Sequence, residues 1–271
     1  MAEWLIASQD MLRLAIFAGV LGAMLAWEAV APRRARGASR WRRWPGNFGV
    51  VVAGALLLRL VFPVTAVAWA GALEARGVGL MALVGAPVWL AVPVAVVALD
   101  LAIWAQHLVF HRVPALWRLH RMHHADTDLD ASSGARFHPL EILLSMAIKF
   151  VVIAALGAPA VAVLLFEILL NACATFNHAN VALPARAERG LRAVLVTPDM
   201  HRIHHSWRRE ETDSNFGFCL PWWDRLFGTY RAQPADGQTG MTIGLAEFRD
   251  PGEARLDRLL TQPFRQAASA P

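Results

Sequence analysis

The sequence predicts an all-α integral membrane protein, in which transmembrane helical hairpins carry a cytoplasmic, histidine-rich helical cap. Three observations lead to this prediction: a 56% apolar composition with a mean hydropathy of +0.39, four long apolar segments, and clustered histidines. Such an apolar content exceeds that of ordinary soluble domains. The four apolar segments lie at 11–31, 47–72, 79–106 and 140–175.

The N-terminal region predicts the first membrane helix and the orientation of the chain. MAEWLIASQDM lacks the basic region of a cleaved signal peptide, so we expect the first apolar stretch to remain in the mature protein. Six arginines separate this stretch from the next apolar segment: Arg33, Arg34, Arg36, Arg40, Arg42 and Arg43. Because cytoplasmic loops are rich in Lys and Arg, residues 32–46 are predicted to lie inside the cell, and no nucleic-acid partner is needed to explain them.

The following segments bring the chain back to the cytoplasmic side. Residues 79–99 carry no charge and are long enough to cross a hydrocarbon core of about 30 Å at about 1.5 Å per residue. With residues 32–46 inside, the turn near 74–79 lies outside and the chain returns near His111. Arg59 and Lys149 interrupt apolar segments, and we expect both side chains to snorkel toward water.

The stretch between His138 and His178 predicts a helical hairpin. One continuous helix of this length would extend about 60 Å, roughly two bilayer thicknesses. Gly157-Ala158-Pro159 lies near its middle, where a turn between two helices is expected. Both histidines then face the same side of the membrane. Beyond about residue 180 the chain becomes polar and rich in prolines, which predicts the cytoplasmic cap.

Eight of the ten histidines fall in three clusters. His107 and His111 are spaced i, i+4, so both imidazoles project from one face of a helix. HRMHH at 120–124 recurs as HRIHH at 201–205, and each copy presents three rings to one side of a helix. One i, i+4 pair would be weak support for a metal site, but three such clusters together predict one.

The number of histidines predicts two metal ions, because one metal takes four to six ligands. His138 in RFHPLE and His178 in FNHAN extend the three clusters. The candidate metal ligands are His107, His111, His120, His123, His124, His138, His178, His201, His204 and His205. Imidazole suits iron, zinc, copper and nickel, so ligand type alone does not choose the metal. The sequence lacks the Glu-x-x-His motif of soluble di-iron bundles and the H-E-x-x-H motif of zinc proteases, which favours a nearly all-histidine site.

Three polar residues are candidates for orienting the imidazoles. Asp100 precedes His107 and His111 by seven and eleven residues, about two and three helical turns, and so shares their helix face. A carboxylate there could accept an imidazole N–H, as metal-bound histidines require, although a helix-end aspartate facing water fits the position equally well. Asp199 and Asn180, each close to a histidine in the sequence, are the weaker candidates.

Several motifs together resemble those of a known superfamily. HLVFH, HRMHH and HRIHH, with RFHP, FNHAN, TPDMHRIHH and WWDRLFGTY, resemble the fatty acid hydroxylase and sterol desaturase superfamily over about residues 95–230, in the family's order. The H-x-x-x-H spacing of the first box is similar to the sterol desaturase branch. The resemblance implies two iron ions that use O2 as co-substrate to hydroxylate or desaturate a C–H bond of a lipid from the bilayer. No fused haem or iron–sulfur domain is visible in the sequence, so it also implies a separate electron-donor protein or reductase.

This resemblance suggests a division of the chain and a location. Residues 1–46 form an N-terminal transmembrane helix and basic loop, 47–235 a hydroxylase-like catalytic domain, and 236–271 a C-terminal tail. The metal site is expected on the cytoplasmic side of the membrane. In a bacterium this membrane would be the inner membrane.

Two other functions remain open, a metal-handling protein and a membrane zinc hydrolase. Metal transporters place ligands near the bilayer midplane, whereas these histidines stand at helix ends. A zinc hydrolase needs only three protein ligands and leaves most of the histidines unexplained. The sequence does not predict the lipid or the oligomeric state.

Overall fold

The computed structural model describes residues 2–266 of the 271-residue chain, and this part is helical without any β-strand. The α-helices are α1 (Ala2–Ala7), α2 (Gln9–Val30), α3 (Arg40–Val61), α4 (Ala66–Glu74), α5 (Leu80–Leu83), α6 (Val88–Arg112), α7 (Pro114–His124), α8 (Pro139–Leu156), α9 (Ala160–His178), α10 (Ala185–Leu191), α11 (Pro198–His204), α12 (Arg209–Thr212), α13 (Trp222–Leu226), α14 (Gly237–Gly240) and α15 (Leu256–Thr261). Short 3-10 helices cover Ala131–Ala135, Pro251–Ala254 and Gln262–Phe264.

Five helical segments are long and apolar enough to cross a membrane. They are α2, the run from Arg40 to Glu74 that contains α3 and α4, α6, α8 and α9. The remaining helices are short. Among them, α7 and α11 lie at the histidine-bearing ends of α6 and α9, whereas α1 and α5 pack against the membrane helices. This arrangement confirms the predicted all-α membrane fold with a histidine-rich cap.

Three helix boundaries differ from the apolar segments of the sequence. The helix predicted to begin near residue 79 begins at Val88, because Gly85 has a φ of +59° and Pro87 precedes the first turn. The segment at 47–72 is broken at residues 62–65, because Pro63 disfavours the helical conformation at Phe62. The helix α3 also begins earlier than its apolar run, at Arg40.

The predicted hairpin between His138 and His178 is confirmed. Helix α8 ends at Gly157, whose φ of +65° is the left-handed conformation that glycine adopts at helix ends. The backbone of Gly79 approaches this turn so closely that a Cβ on Gly79 would lie 2.2 Å from the Gly157 nitrogen. The α8–α9 turn therefore packs against the loop after α4, and the other ends of α8 and α9 face the cap.

The largest core cluster joins the membrane helices to one another. It contains Leu99 and Ile103 of α6, Ile153 of α8, and Val163 and Phe166 of α9. Because lipid tails are as apolar as these side chains, van der Waals packing rather than transfer from water stabilises such a contact. This core fixes the ends of α6 and α9 that carry histidines.

The basic stretch does more than indicate topology, because several of its arginines attach the cap. Arg43 is buried and forms ion pairs with Asp126 at 2.7 Å and Asp130 at 2.9 Å. Arg33 forms an ion pair with Asp199 at 3.1 Å. Breaking a buried pair by removing one partner leaves an uncompensated charge and costs about 3–5 kcal/mol. These contacts therefore hold the loop at 125–135 against α3, and helix α11 against the loop that precedes α3.

The prediction that Lys149 snorkels to water is wrong. Its Nζ lies 2.7 Å from Glu167 Oε1, on the neighbouring helix of the hairpin, and its side chain is 10% exposed. Pairing within the bundle is the alternative way to accommodate an ionised group at membrane depth.

The C-terminal residues pack onto the membrane helices and the cap. Leu259 is buried with Val50 of α3 and Met122 of α7. Arg121 donates to the Gln262 and Arg265 carbonyls at 2.8 and 2.6 Å, which directs this side chain away from the neighbouring histidines. The predicted boundary at residue 46 lies within α3, and the division at 46 and 235 stays a prediction.

Candidate metal centre

Four helices deliver the histidines to one region. His107 and His111 lie in the last turns of α6, and His178 is the last residue of α9. The HRMHH and HRIHH sequences lie at the ends of α7 and α11. Both short helices begin with proline at the first position, where its fixed φ favours the helix and its missing N–H is not needed.

Nine histidines form two groups of converging ring nitrogens. Within each group, one nitrogen of every histidine lies within 4.8 Å of those of the others. The five-histidine group is His107, His111, His120, His124 and His204. The four-histidine group is His123, His178, His201 and His205. All nine side chains are buried.

Each copy of the repeated pentapeptide contributes to both groups. Helix α7 supplies His120 and His124 to the five-histidine group and His123 to the other. The second copy does the reverse, because His204 joins the five-histidine group while His201 and His205 join the four-histidine group. The two copies therefore tie the groups together in a complementary way.

Backbone carbonyls fix the tautomer of several rings. A carbonyl oxygen only accepts, so a ring Nδ1 beside it carries the proton and leaves Nε2 with a free lone pair. Four rings have this contact: His107 with Phe216, His178 with Ala174 and His204 with Ser214, all at 2.7 Å, and His123 with Arg136 at 3.1 Å. Their Nε2 atoms are thus the candidate ligand atoms.

Carboxylates hold two further rings. Glu141 accepts from His120 Nδ1 at 2.7 Å, and Asp213 accepts from His111 Nδ1 at 3.3 Å. Such carboxylate–imidazole contacts orient metal-bound histidines and raise their basicity. Sequence reasoning missed both acids. Glu141 offered one signal, its place three residues after His138 in the first turn of an apolar helix, whereas Asp213 offered none.

The free lone pairs face one another. His178 Nε2 lies 3.1 Å from His123 Nε2, and both rings have their proton on Nδ1. In the other group His107 Nε2 lies 3.0 Å from His120 Nε2. Two acceptor lone pairs at this separation repel unless they share a cation, and two ligands about 2.1 Å from one metal at a right angle would lie about 3.0 Å apart. The residues therefore fit a bound metal ion in each group.

Unpaired ring nitrogens support the same conclusion. In the described part of the chain, the Nε2 atoms of His111 and His204 and both ring nitrogens of His205 are buried without a hydrogen-bond partner. A buried polar atom left without a partner costs about 1–3 kcal/mol. Metal coordination would satisfy one nitrogen on each of these rings.

Burial keeps the imidazoles in the neutral form that metals bind. Removal from water, followed by the neighbouring imidazole His120, lowers the pKa of His204 to about 3. Burial likewise lowers the pKa of His124 and His201 well below the usual range, with the rings nearest each adding to the effect. Neutral ligands allow a metal to bind without first displacing protons at neutral pH.

The structure does not bring His138 to either group. At the start of α8 its Nδ1 accepts the Leu140 N–H at 3.2 Å, and its Nε2 donates to the Leu260 carbonyl at 3.1 Å. This ring caps a helix and attaches the C-terminal segment, so we do not include it in the proposed ligand set.

The three candidate orienting residues contact other partners. Asp100 accepts from the indole of Trp223 at 2.8 Å and from the Leu220 N–H at 3.3 Å, which ties the cap to α6. Asp199 forms ion pairs with Arg33 and Arg202. The Asn180 side chain accepts from the Arg34 N–H and donates to the Arg34 carbonyl, both at 3.0 Å. None of these contacts involves an imidazole. Glu141 and Asp213 occupy the role that was expected of Asp100.

Asp224 positions one of the carbonyl anchors. Its carboxylate accepts from Trp104 of α6 at 3.0 Å and from the N–H groups of Phe216 and Gly217 at 2.9 and 2.8 Å. The Phe216 carbonyl in turn accepts from His107 Nδ1. Asp224 therefore links α6, the loop before α13 and a metal-facing ring.

A cavity of about 690 Å³ opens beside the five-histidine group. His107, His120 and Glu141 form one end, and apolar side chains such as Ile103 and Phe137 line its walls. Cavities of this size and character bind small apolar ligands with a few fixed polar contacts. An alkyl chain in this cavity would reach the metal-facing rings.

Comparison with known proteins identifies the relatives of this arrangement. The chain is 29% identical over 157 residues to ornithine lipid hydroxylase OlsE of Rhizobium tropici, which covers 58% of this chain and 46% of the relative. It is 29% identical over 156 residues to alkylglycerol monooxygenase of Homo sapiens, a match that covers 57% of this chain and 34% of the relative. It is 26% identical over 138 residues to cholesterol 25-hydroxylase of Rattus norvegicus, which covers 50% of this chain and 45% of the relative.

The chain thus spans less than half the length of these curated relatives. No solved structure matches it. The model of the fatty acid hydroxylase family matches residues 92–229, about half of the chain, which contain the nine converging histidines, Glu141 and Asp213. The chain therefore belongs to the fatty acid hydroxylase family.

Proposed function

We propose that this protein is a membrane-bound di-iron oxygenase that hydroxylates a C–H bond of a lipid. The observation that carries the proposal is that two adjoining histidine groups converge, and that the five-histidine group lies at the end of an apolar cavity between membrane helices. Ligand type alone leaves the metal open, and family membership favours iron. Hydroxylation is proposed rather than desaturation, because the three relatives above are named as hydroxylases or monooxygenases.

In this proposal the five- and four-histidine groups would each hold one iron ion, and the metals would supply the O2-dependent oxidation of an unactivated C–H bond. The overall reaction takes R–H, O2, two electrons and two protons to R–OH and water. The protein positions the reactants. Anchored imidazoles hold the ligand atoms, while Ile103, Phe137 and Phe218 surround the alkyl chain and exclude water.

The stoichiometry requires two electrons, and we propose that a separate electron-donor protein supplies them. We also propose that the donor approaches from the cytoplasm. Arg33 and Arg43 bind the cap directly, so the basic stretch and the histidines lie at the same end of the bundle. The positive-inside rule counts Lys and Arg rather than net charge, so ion pairing does not remove this signal.

Labelling with isotopic O2 tests the function. Cells that express the protein under labelled O2 should accumulate a lipid carrying one labelled oxygen. The His123→Ala variant should form none, because it removes a ligand of the four-histidine group. The matched control is His138→Asn, since asparagine can also cap α8 while the lost ring lies outside both groups. Equal labelling by the His123→Ala variant would contradict the proposal.

A further inference from the structure

The cavity beside the five-histidine group has a charged end that the oxidation itself does not use. Five ionisable side chains line it: Asp10, Arg13, Arg59, Lys149 and Glu167. They lie on four different membrane helices, α2, α3, α8 and α9. Ionised groups at membrane depth are costly and mark binding sites or relays by default.

Three of these groups form a network with one positive charge in excess. Arg13 and Lys149 both approach the single carboxylate of Glu167, at 3.1 and 2.7 Å. Glu167 is 3% exposed, Lys149 10% and Arg13 32%. One carboxylate cannot neutralise two cations, so the network retains a positive charge in a poorly solvated region. An anion that enters the cavity would compensate that charge.

Arg59 adds a second cation at the same end. It is exposed, lines the cavity, and forms no ion pair with the side chains that the structure describes, those of residues 4–266. Asp10 brings one carboxylate, so the five described side chains together keep one positive charge in excess. The planar fork of arginine matches a carboxylate or a phosphate.

Helix geometry gives the distance from this end to the metal-facing rings. Lys149 follows Glu141, which holds His120, by eight residues on α8, about 12 Å along the axis. Glu167 precedes Ala174, which holds His178, by seven residues on α9, about 10 Å. Apolar residues including Met146 and Leu170 line the space between.

We propose that the charged end of the cavity binds the acidic head, a carboxylate or phosphate, of an amphipathic lipid whose chain extends to His107 and His120. This assignment rests on the proposed function and narrows its substrate class, because neutral sterols and neutral ether lipids would leave the excess charge uncompensated.

Binding of a fluorescent lipid acid tests the assignment without relying on turnover. Cis-parinaric acid and its methyl ester are titrated into iron-loaded, full-length protein under anaerobic, mildly alkaline conditions, where the acid is ionised. The acid should bind about tenfold more tightly than the ester, the equivalent of about one well-placed charge contact. Equal affinities would overturn the proposal.

Two substitutions test whether the charged end of the cavity causes the preference for the acid over the ester. Arg13→Gln and Arg59→Gln each remove a cation and leave the Lys149–Glu167 ion pair intact, so the bundle should keep its fold. The double variant should bind acid and ester with similar affinity. Arg186→Gln is the matched control, because Arg186 is exposed on α10 and does not line the cavity. An unchanged preference in the double variant would place the acidic head elsewhere.

Competition separates a lipid head from a free anion. Dodecyl phosphate should displace cis-parinaric acid, whereas inorganic phosphate at the same concentration should not. Displacement by inorganic phosphate alone would overturn the lipid assignment. Iron content and labelled-oxygen incorporation in the same preparations report on the proposed function independently, so a protein that oxygenates lipids without preferring acids would contradict only this inference.

Discussion

At the scale of single residues, the geometry of the candidate site depends on the group that each ring contacts through its Nδ1 atom. Carbonyls or carboxylates hold the Nδ1 atoms of six rings, among them His107, His120 and His178. Each contact fixes a tautomer and a ring orientation at once. Apart from the Ala174 carbonyl, which lies on the same helix as His178, these contacts come from loops and neighbouring helices, and the spacing of the histidines does not reveal them.

Substitution of Glu141 tests whether these contacts contribute to metal binding. The Glu141→Ala variant leaves the His120 Nδ1–H without its acceptor and should lower metal affinity or activity about 10–100-fold. Glu141→Gln keeps an acceptor oxygen and should lose less. Metal affinity can be measured by chelator competition, with the exposed Glu210→Ala as the control. Identical affinities of the Glu141→Ala variant and the wild type would rule out this role.

The division of the histidines into two groups predicts a difference between His205 and His138. His205→Ala should reduce the iron content from about two ions to about one per chain, because it opens the four-histidine group alone. His138→Asn should retain both ions. Metal analysis of the two purified variants checks this, and loss of iron in the His138→Asn variant alone would return that ring to the ligand set.

The sequence predicted eight of the nine converging histidines because i, i+3 and i, i+4 spacing places rings on one helix face. His178 was added from its FNHAN motif. The sequence did not predict which ring joins which group, because that depends on how α7 and α11 approach each other. Nor did it predict the position of His138, which is set by the Leu260 carbonyl, 122 residues away in the chain.

At the scale of helices, the length of an apolar segment predicted that a helix exists better than it predicted where the helix begins and ends. The hairpin of α8 and α9 was predicted because Gly157 and Pro159 interrupt an apolar stretch too long for one crossing. The early start of α3 was not predicted, because Arg40 and Arg43 resemble a loop by charge, while Asp130, which pairs with both, lies far away in the sequence. Tertiary ion pairs thus extend this helix beyond its apolar part.

Contact between α3 and the C-terminal segment can be tested at Gly46. A Cβ added there would lie 1.9 Å from the Ala254 carbonyl oxygen, so Gly46→Ala must displace the segment. We expect a loss of about 1–3 kcal/mol in stability, seen as a lower melting temperature in detergent. Gly19→Ala on α2 meets no atom within 4 Å and should leave the melting temperature unchanged or slightly higher. Equal melting temperatures for both variants would mean that the segment does not dock on α3.

At the scale of the whole molecule, the basic stretch and the histidine cap share one end of the bundle. The Arg43 pairs with Asp126 and Asp130 make this a physical connection. The orientation of that end remains a prediction from charge, and the loop after α4 is predicted on the opposite side.

Cysteine accessibility tests this orientation. Both native cysteines are buried, so an introduced cysteine reports its own position. In intact cells an impermeant maleimide should modify the Arg76→Cys variant, between α4 and α5, but the Ala187→Cys variant on α10 only after the membrane is opened. The reverse pattern would place the histidine cap outside the cell.

We propose that the two histidine groups hold a pair of iron ions. Mössbauer spectroscopy of protein from cells grown on iron-57, with the metal-to-protein ratio measured on the same sample, tests it most directly. We expect about two magnetically coupled irons per chain. A single uncoupled iron, or zinc that persists after anaerobic iron reconstitution, would contradict it.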